Sequence, residues 1–229
     1  MIGILCVLDR EIELLLKEME QPAVHKKLFG YDYVQGRLRG RDVVLCKCGV
    51  GKVNAAICAQ TMLLTYHPEL VMNSGVAGSL SEKLRICDVA VGQDIVQHDI
   101  DTTACGDELA LVPELDRVYL PCDGETARVI CRAAEKVGVH ALPARIASGD
   151  QFVSSPEKKR WIVEHFGAMA CEMESGAIAQ VCCRSGVKCA VIRAISDSTD
   201  GEHAMEFEKF LQIAADQSVK VLLEALKAL

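Results

Sequence analysis

Short, continuous apolar runs alternate with helix-patterned stretches along the whole chain, and this alternation restricts the folds open to it. Ile2–Leu8 is an unbroken apolar run, the pattern of a strand buried on both faces. It leads into Asp9–Glu20, where Ile12, Leu15, Leu16 and Met19 share one helical face. Tyr33–Leu38 and Asp42–Cys46 bracket Arg39-Gly40-Arg41 as a hairpin. Val53–Tyr66 reads as a helix stopped before Pro68, followed by a strand at Leu70–Asn73 and a Gly-rich loop over Asn73–Leu80. Further strands are expected at Val89–Val96, Ala144–Ser148, Ala168–Cys171 and Lys188–Ile195. Further helices are expected at Gly124–Val137, Pro156–His165, Ser175–Arg184 and Glu206–Leu229. No linker or repeat interrupts the pattern, so residues 1–229 read as one α/β domain, with a mostly parallel sheet between two layers of helices.

Charge and cysteine usage remove several classes of function. The net charge is −7 and Lys and Arg form no block, so no basic footprint for nucleic acid exists. Twelve cysteines raise the question of disulfides or zinc, but none are spaced C-x-x-C and most sit in apolar runs such as ILCVL and VVLCKC. They read as small buried hydrophobes, reduced in a cytoplasmic protein, with no metal site. The N-terminal apolar run stops at Asp9, and no run approaches the ~18 residues of a membrane span, so a soluble chain is expected.

In open α/β sheets ligands bind beyond the carboxyl ends of strands, so those ends are where chemistry is sought. Asp9-Arg10-Glu11 follows the first strand and Gly49-Val50-Gly51-Lys52 follows the run Val44–Cys48. Asn73-Ser74-Gly75-Val76-Ala77-Gly78, Ser148-Gly149-Asp150-Gln151-Phe152 and Ile195-Ser196-Asp197 end three more, and Glu172-Met173-Glu174 closes another. Each has a plain structural account. Acids at helix starts are favoured by the dipole by about 0.3–1 kcal/mol, Asp197 suits a cap, and glycines suit turns. Gly49-Val50-Gly51-Lys52 is neither a P-loop nor a dinucleotide fingerprint, because the required Gly and Ser/Thr positions are absent. What weakens the separate accounts is that acids and glycines recur at the strand ends on one rim.

The segments IGILCVLDREIELL, CGVGKVNAA, NSGVAGSL, HDIDTTACG, ASGDQFV, CEMESGAIAQVC and VIRAISDSTD together resemble the bacterial 5′-methylthioadenosine/S-adenosylhomocysteine nucleosidases of the nucleoside phosphorylase superfamily. The resemblance covers nearly the whole chain. It implies a three-layer α/β/α domain with a central mixed, twisted sheet. It also implies hydrolysis of the N-glycosidic bond of 5′-methylthioadenosine or S-adenosylhomocysteine, with 5′-deoxyadenosine a further candidate. On that resemblance Asp197 is the general acid to the leaving adenine, Glu11 activates water, and Glu174 accepts hydrogen bonds from the ribose diol. A carboxylate's two oxygens suit a vicinal diol. Phe152 would stack on adenine and the Val153 backbone would bond its edge. Gly78 would offer an amide, and Val50, Val76, Met173 and Ser196 would line the sugar and base. Phe207 would line the alkylthio pocket, with a plain amphipathic-helix position as its alternative. Glu172 and Arg193 would stand behind as partners. No cofactor is implied. The expected partners are a small nucleoside and a second copy of the chain, whose 98–113 stretch would complete the neighbouring site.

The chain departs from the family at Leu8-Asp9-Arg10, at Val76 where Ser is common, and at Cys105 and Asp107 where aromatics are common. These bear on the choice of 5′-substituent more than on the reaction. The rivals are a phosphate-dependent phosphorylase, a futalosine-type hydrolase and a non-catalytic nucleoside-binding module. A phosphorylase needs basic groups around its anion, and the first loop offers Arg10 beside the repelling Glu11.

Overall fold

The computed structural model describes residues 1–197 and 207–229, apart from the side chains of 21–22 and 207–209. These residues build one ten-stranded sheet and six helices. In chain order they run β1 (Ile2–Cys6), α1 (Asp9–Glu18), β2 (Glu20–Leu28), β3 (Tyr31–Leu38), β4 (Arg41–Lys47), α2 (Lys52–Tyr66) and β5 (Leu70–Ser79). Then come β6 (Val89–Gln97), a 3-10 turn at Thr103–Cys105, β7 (Tyr119–Pro121), α3 (Gly124–Lys136) and β8 (Ala141–Ser148). The chain ends with α4 (Pro156–Phe166), β9 (Ala170–Glu172), α5 (Ser175–Ser185), β10 (Lys188–Asp197) and α6 (Phe207–Leu226).

Burial of β1 on both faces explains its unbroken apolar run. Ile4 and Cys6 face one core with Leu15 of α1, Ile130 of α3 and Leu222 of α6. Leu5 and Val7 face the other, with Cys58 and Met62 of α2 and Ile178 of α5. Helices therefore cover both faces of the sheet, as expected. Truncating a fully buried residue such as Leu5 to Ala would cost about 2–5 kcal/mol. All twelve cysteines are free, and seven are buried within these layers.

The sheet is not mostly parallel. Of its ten strand pairings, β1–β4, β1–β5, β10–β5, β6–β8 and β8–β9 are parallel, and the other five are antiparallel. The antiparallel pairs come from the β2–β3–β4 hairpins, from β7 returning to β6 after a long connection, and from β10 and β9 turning back on β6 and β5. β5, β10, β6, β8 and β9 close into a ring, and β1, β4, β3 and β2 extend from β5 as an arm. β2 escapes the sequence pattern because it is a largely exposed edge whose burial leaves no period-two signal. Its turn, Phe29-Gly30, has both residues at positive φ, the geometry of a tight two-residue hairpin.

Asn73–Leu80 is not a loop. β5 runs unbroken to Ser79. Its glycines serve close approach instead: a Cβ on Gly75 would stand 3.1 Å from Arg193 Nη1, and one on Gly78 3.1 Å from each Asp197 carboxylate oxygen. β5 also marks a fork. It pairs with β1 up to Ser74 and with β9 from Gly78. Gly75, Val76 and Ala77 lie between, where the two neighbours diverge.

Candidate active site

The fork opens a cavity of about 270 Å³. Val7 and Leu8 beyond β1, Val76–Gly78 of β5, Glu172–Glu174 at and beyond the end of β9 and Ser196–Asp197 of β10 all line it. Val50, Phe152 and Val153 line it too. Of the residues expected from sequence, the structure thus brings together Val50, Val76, Gly78, Phe152, Val153, Glu172, Met173, Glu174, Ser196 and Asp197. Arg193 and Glu11 stand behind the wall rather than in it. Phe207 opens α6, but its side chain lies outside the described residues.

Asp197 is aimed by a register shift in β10 between Ile195 and Asp197, as β-bulges re-aim side chains. Its carboxylate accepts from Ser196 Oγ at 3.1 Å and lies against Gly78. Lys159 Nζ stands 3.5 Å from its other oxygen. Sequence reasoning missed Lys159. The signal was a cation on an apolar stripe, because Lys159, Ile162 and Phe166 form the buried face of α4.

Glu172 and Glu174 divide two tasks. Glu172 caps α5, its Oε2 accepting from Ser175 N at 2.9 Å and its Oε1 from Ser175 Oγ at 2.7 Å. It also pairs with the fully buried guanidinium of Arg193, which donates through Nε at 3.1 Å and through Nη2. Arg193 reaches Asn73 as well. Burial pushes the Glu172 carboxyl up, but Arg193 and the Ser175 donors outweigh it and hold the group below its ordinary value. Glu174 has less support. Gly51 N–H donates to its Oε1 at 3.0 Å, and Arg193 Nη2 is 3.9 Å from Oε2. Burial, then repulsion from Glu172, pushes it up to about 7.

Glu11 is fully buried in the first turn of α1. Its Oε2 accepts from Val7 N at 2.9 Å and Leu8 N at 3.0 Å, tying it to the two residues that line the cavity. Oε1 has no hydrogen-bond partner among the described residues. Burial raises its pKa, against the two backbone donors and Arg193.

The cations nearby are held by acids. Arg10 donates to Asp216 at 2.7 and 2.9 Å, and Lys52 to Asp99 at 2.7 Å. The site therefore gathers carboxylates among mostly apolar walls, with Gln151, Lys159 and Ser196 as further polar groups.

Residues 1–227 match the family model described as the phosphorylase superfamily. The 5′-methylthioadenosine/S-adenosylhomocysteine nucleosidase of Staphylococcus haemolyticus is 36% identical, with both chains covered in full. The crystal structure of the nucleosidase of that name from Neisseria meningitidis, in complex with methylthio-immucillin-A, superposes with a TM-score of 0.94 at 35% identity. That alignment covers 100% of this chain and 99% of the other. A native futalosine hydrolase of Helicobacter pylori gives a TM-score of 0.93 at 34% identity, covering 100% of this chain and 97% of that one.

Proposed function

The chain belongs to the 5′-methylthioadenosine/S-adenosylhomocysteine nucleosidase family of the phosphorylase superfamily, and from that premise we propose that it hydrolyses both of those nucleosides to adenine and the thio-substituted ribose. The observation that carries the reading is the meeting of Glu174 and Asp197 in one cavity with Glu11 buried at its wall. Asp197 protonates the adenine as the N-glycosidic bond breaks. Charge builds on the ribose in an oxocarbenium-like state, and Glu174 holds the 2′- and 3′-hydroxyls. Glu11 takes the proton of the attacking water. Its unclaimed Oε1 is suited to accept that proton, and burial makes it a stronger base than an exposed glutamate. Phe152, Val153 and Met173 position the base and sugar, and Val50, Val76, Gly78 and Ser196 complete the walls. Phe207 is assigned to the alkylthio end.

Water rather than phosphate is the nucleophile in this reading. Arg10, Lys52 and Arg193 are each committed to a carboxylate, and Lys159, which lines the cavity, stands 3.5 Å from Asp197, so acids offset the positive field an anion would need. We assign a homodimer as the working unit, with the 98–113 stretch closing the partner's pocket. Val50 and Phe152 at the cavity are 53% and 67% exposed, and Val53 on α2 is 68% exposed, which supports a covered apolar face there.

A futalosine-type hydrolase is the second reading, favoured by the likeness to the Helicobacter pylori enzyme. Incubating the pure protein with 5′-methylthioadenosine, with and without phosphate, tests both readings. Adenine and free methylthioribose in phosphate-independent yield support the proposal. Methylthioribose 1-phosphate would establish a phosphorylase. Adenine absent from both tubes, but hypoxanthine released from futalosine, would favour the second reading.

A further inference from the structure

The Gly49-Val50-Gly51-Lys52 turn matches no phosphate motif, yet the structure gives its lysine a defined place. Lys52 is the first residue of α2, and its side chain is mostly buried. Its Nζ donates to Asp99 Oδ1 at 2.7 Å and to Gln97 Oε1 at 3.2 Å. Its backbone N–H donates to Asp150 Oδ1 at 2.7 Å, and Asp150 N–H returns a bond to Asp99 Oδ2 at 2.9 Å. Four links, two of them through the ammonium, thus tie the start of α2 to the end of β6 and to the loops after β6 and β8. They fix both the side chain and the main chain of Lys52.

The preceding peptide is the one that reaches the site. Gly51 sits at φ 96°, a conformation that glycine adopts freely, and a Cβ there would lie 3.1 Å from Asp150 Oδ1. In this pose Gly51 N–H donates to Glu174 Oε1 at 3.0 Å. That bond is much closer than the contact of Glu174 with Arg193, at 3.9 Å. The backbone of Met173 also favours its charged form, but less than Gly51 does, so the orientation of this buried carboxylate depends most on the Gly51 amide.

We propose that Lys52, clamped by Asp99 and Asp150, is a positioning residue that acts through the Gly51 amide to orient Glu174 for the ribose hydroxyls. This rests on the nucleosidase reading above. Lys52 touches no substrate. It sets the geometry of a group that does.

The test compares two substrates, 5′-methylthioadenosine and its 3′-deoxy analogue, which withholds one hydroxyl from Glu174. Lys52→Met should lower kcat/KM on the ribonucleoside about tenfold or more, as misplaced binding groups do. On the 3′-deoxy analogue the loss should be no more than about threefold, since part of the lost grip was never available. Lys52→Arg, which keeps a cation for Asp99, should restore most of the ribonucleoside activity. Asp150 is exposed, so Asp150→Ala should fold and show the same substrate-selective loss even if Lys52→Met does not. Equal losses on both substrates, or no loss on the ribonucleoside, would overturn the role of Lys52 while leaving the nucleosidase intact. A wild-type protein that releases no adenine from either substrate would overturn the nucleosidase reading, and the role of Lys52 with it.

Discussion

Replacing Glu174 with Gln should stabilise the protein in mildly alkaline solution while disabling it. Burial, reinforced by Glu172, pushes this carboxyl from its ordinary 4.5 up to about 7 in the folded chain. The folded state therefore holds the proton more tightly than the unfolded state does. The stability this contributes is fully present below about pH 4.5 and is lost as pH rises through about 7. At about 1.4 kcal/mol per unit, the gap between 4.5 and about 7 amounts to roughly 3 kcal/mol. Gln is neutral throughout, and its amide oxygen can still accept from Gly51. Its advantage over wild type should be under about 1 kcal/mol at pH 5 and approach roughly 3 kcal/mol at pH 8. Urea denaturation at the two pH values reads this directly, with unchanged m-values as the check on compactness. A variant no more stable than wild type at pH 8, or an advantage that ignores pH, would refute the reasoning. The same titration should appear in catalysis, with wild-type kcat/KM rising as pH passes upward through about 7.

Three further outcomes are expected. Asp197→Asn should cut turnover by orders of magnitude while calorimetry still detects binding of intact substrate; a binding module would show no turnover to lose. Gly78→Ala puts a methyl 3.1 Å from both Asp197 carboxylate oxygens, so kcat should fall about tenfold or more with thermal stability nearly kept. Unchanged kcat would separate Asp197's position from its role. Glu172→Gln deprives the buried Arg193 of its ion-pair partner and should cost roughly 3–5 kcal/mol in equilibrium unfolding. It should also move the pH limb assigned to Glu174 below about 7, because repulsion from Glu172 is the second cause of that value.

The sequence exposes what is repeated and hides what is made by long-range pairing. β1, α2 and α5 are legible because each has an apolar run or face that the core demands. The acids at strand ends are legible because a carboxylate beside an apolar strand needs a reason. The Gly-rich part of β5 reads as a loop because nothing local announces that Arg193 and Asp197 will press against it from β10. The antiparallel half of the sheet is hidden for the same reason, as β10 meets β6 only after the ring closes. Ten of the thirteen residues expected in or behind the site line the cavity, because strand ends converge there. Glu11 is one layer back, since a helix following directly on β1 turns its first-turn acid toward the backbone of Val7 and Leu8. Lys159 was legible in principle as a charge on a buried helical stripe.

The ring of strands also sets an order of events in synthesis. β5 can pair with β1 early, but its register with β10 joins Leu70 to Lys188 across 118 residues of chain. At roughly 5–20 residues per second, a ribosome needs about 6–24 s to deliver the second strand. Throughout that interval one edge of an apolar, glycine-bearing strand stands open to any other strand. Such distant pairings close slowly and leave the intermediate prone to association. The strand that brings Asp197 to the site is thus the same strand that seals this edge, so a nascent chain acquires Asp197 only when that adhesive edge disappears.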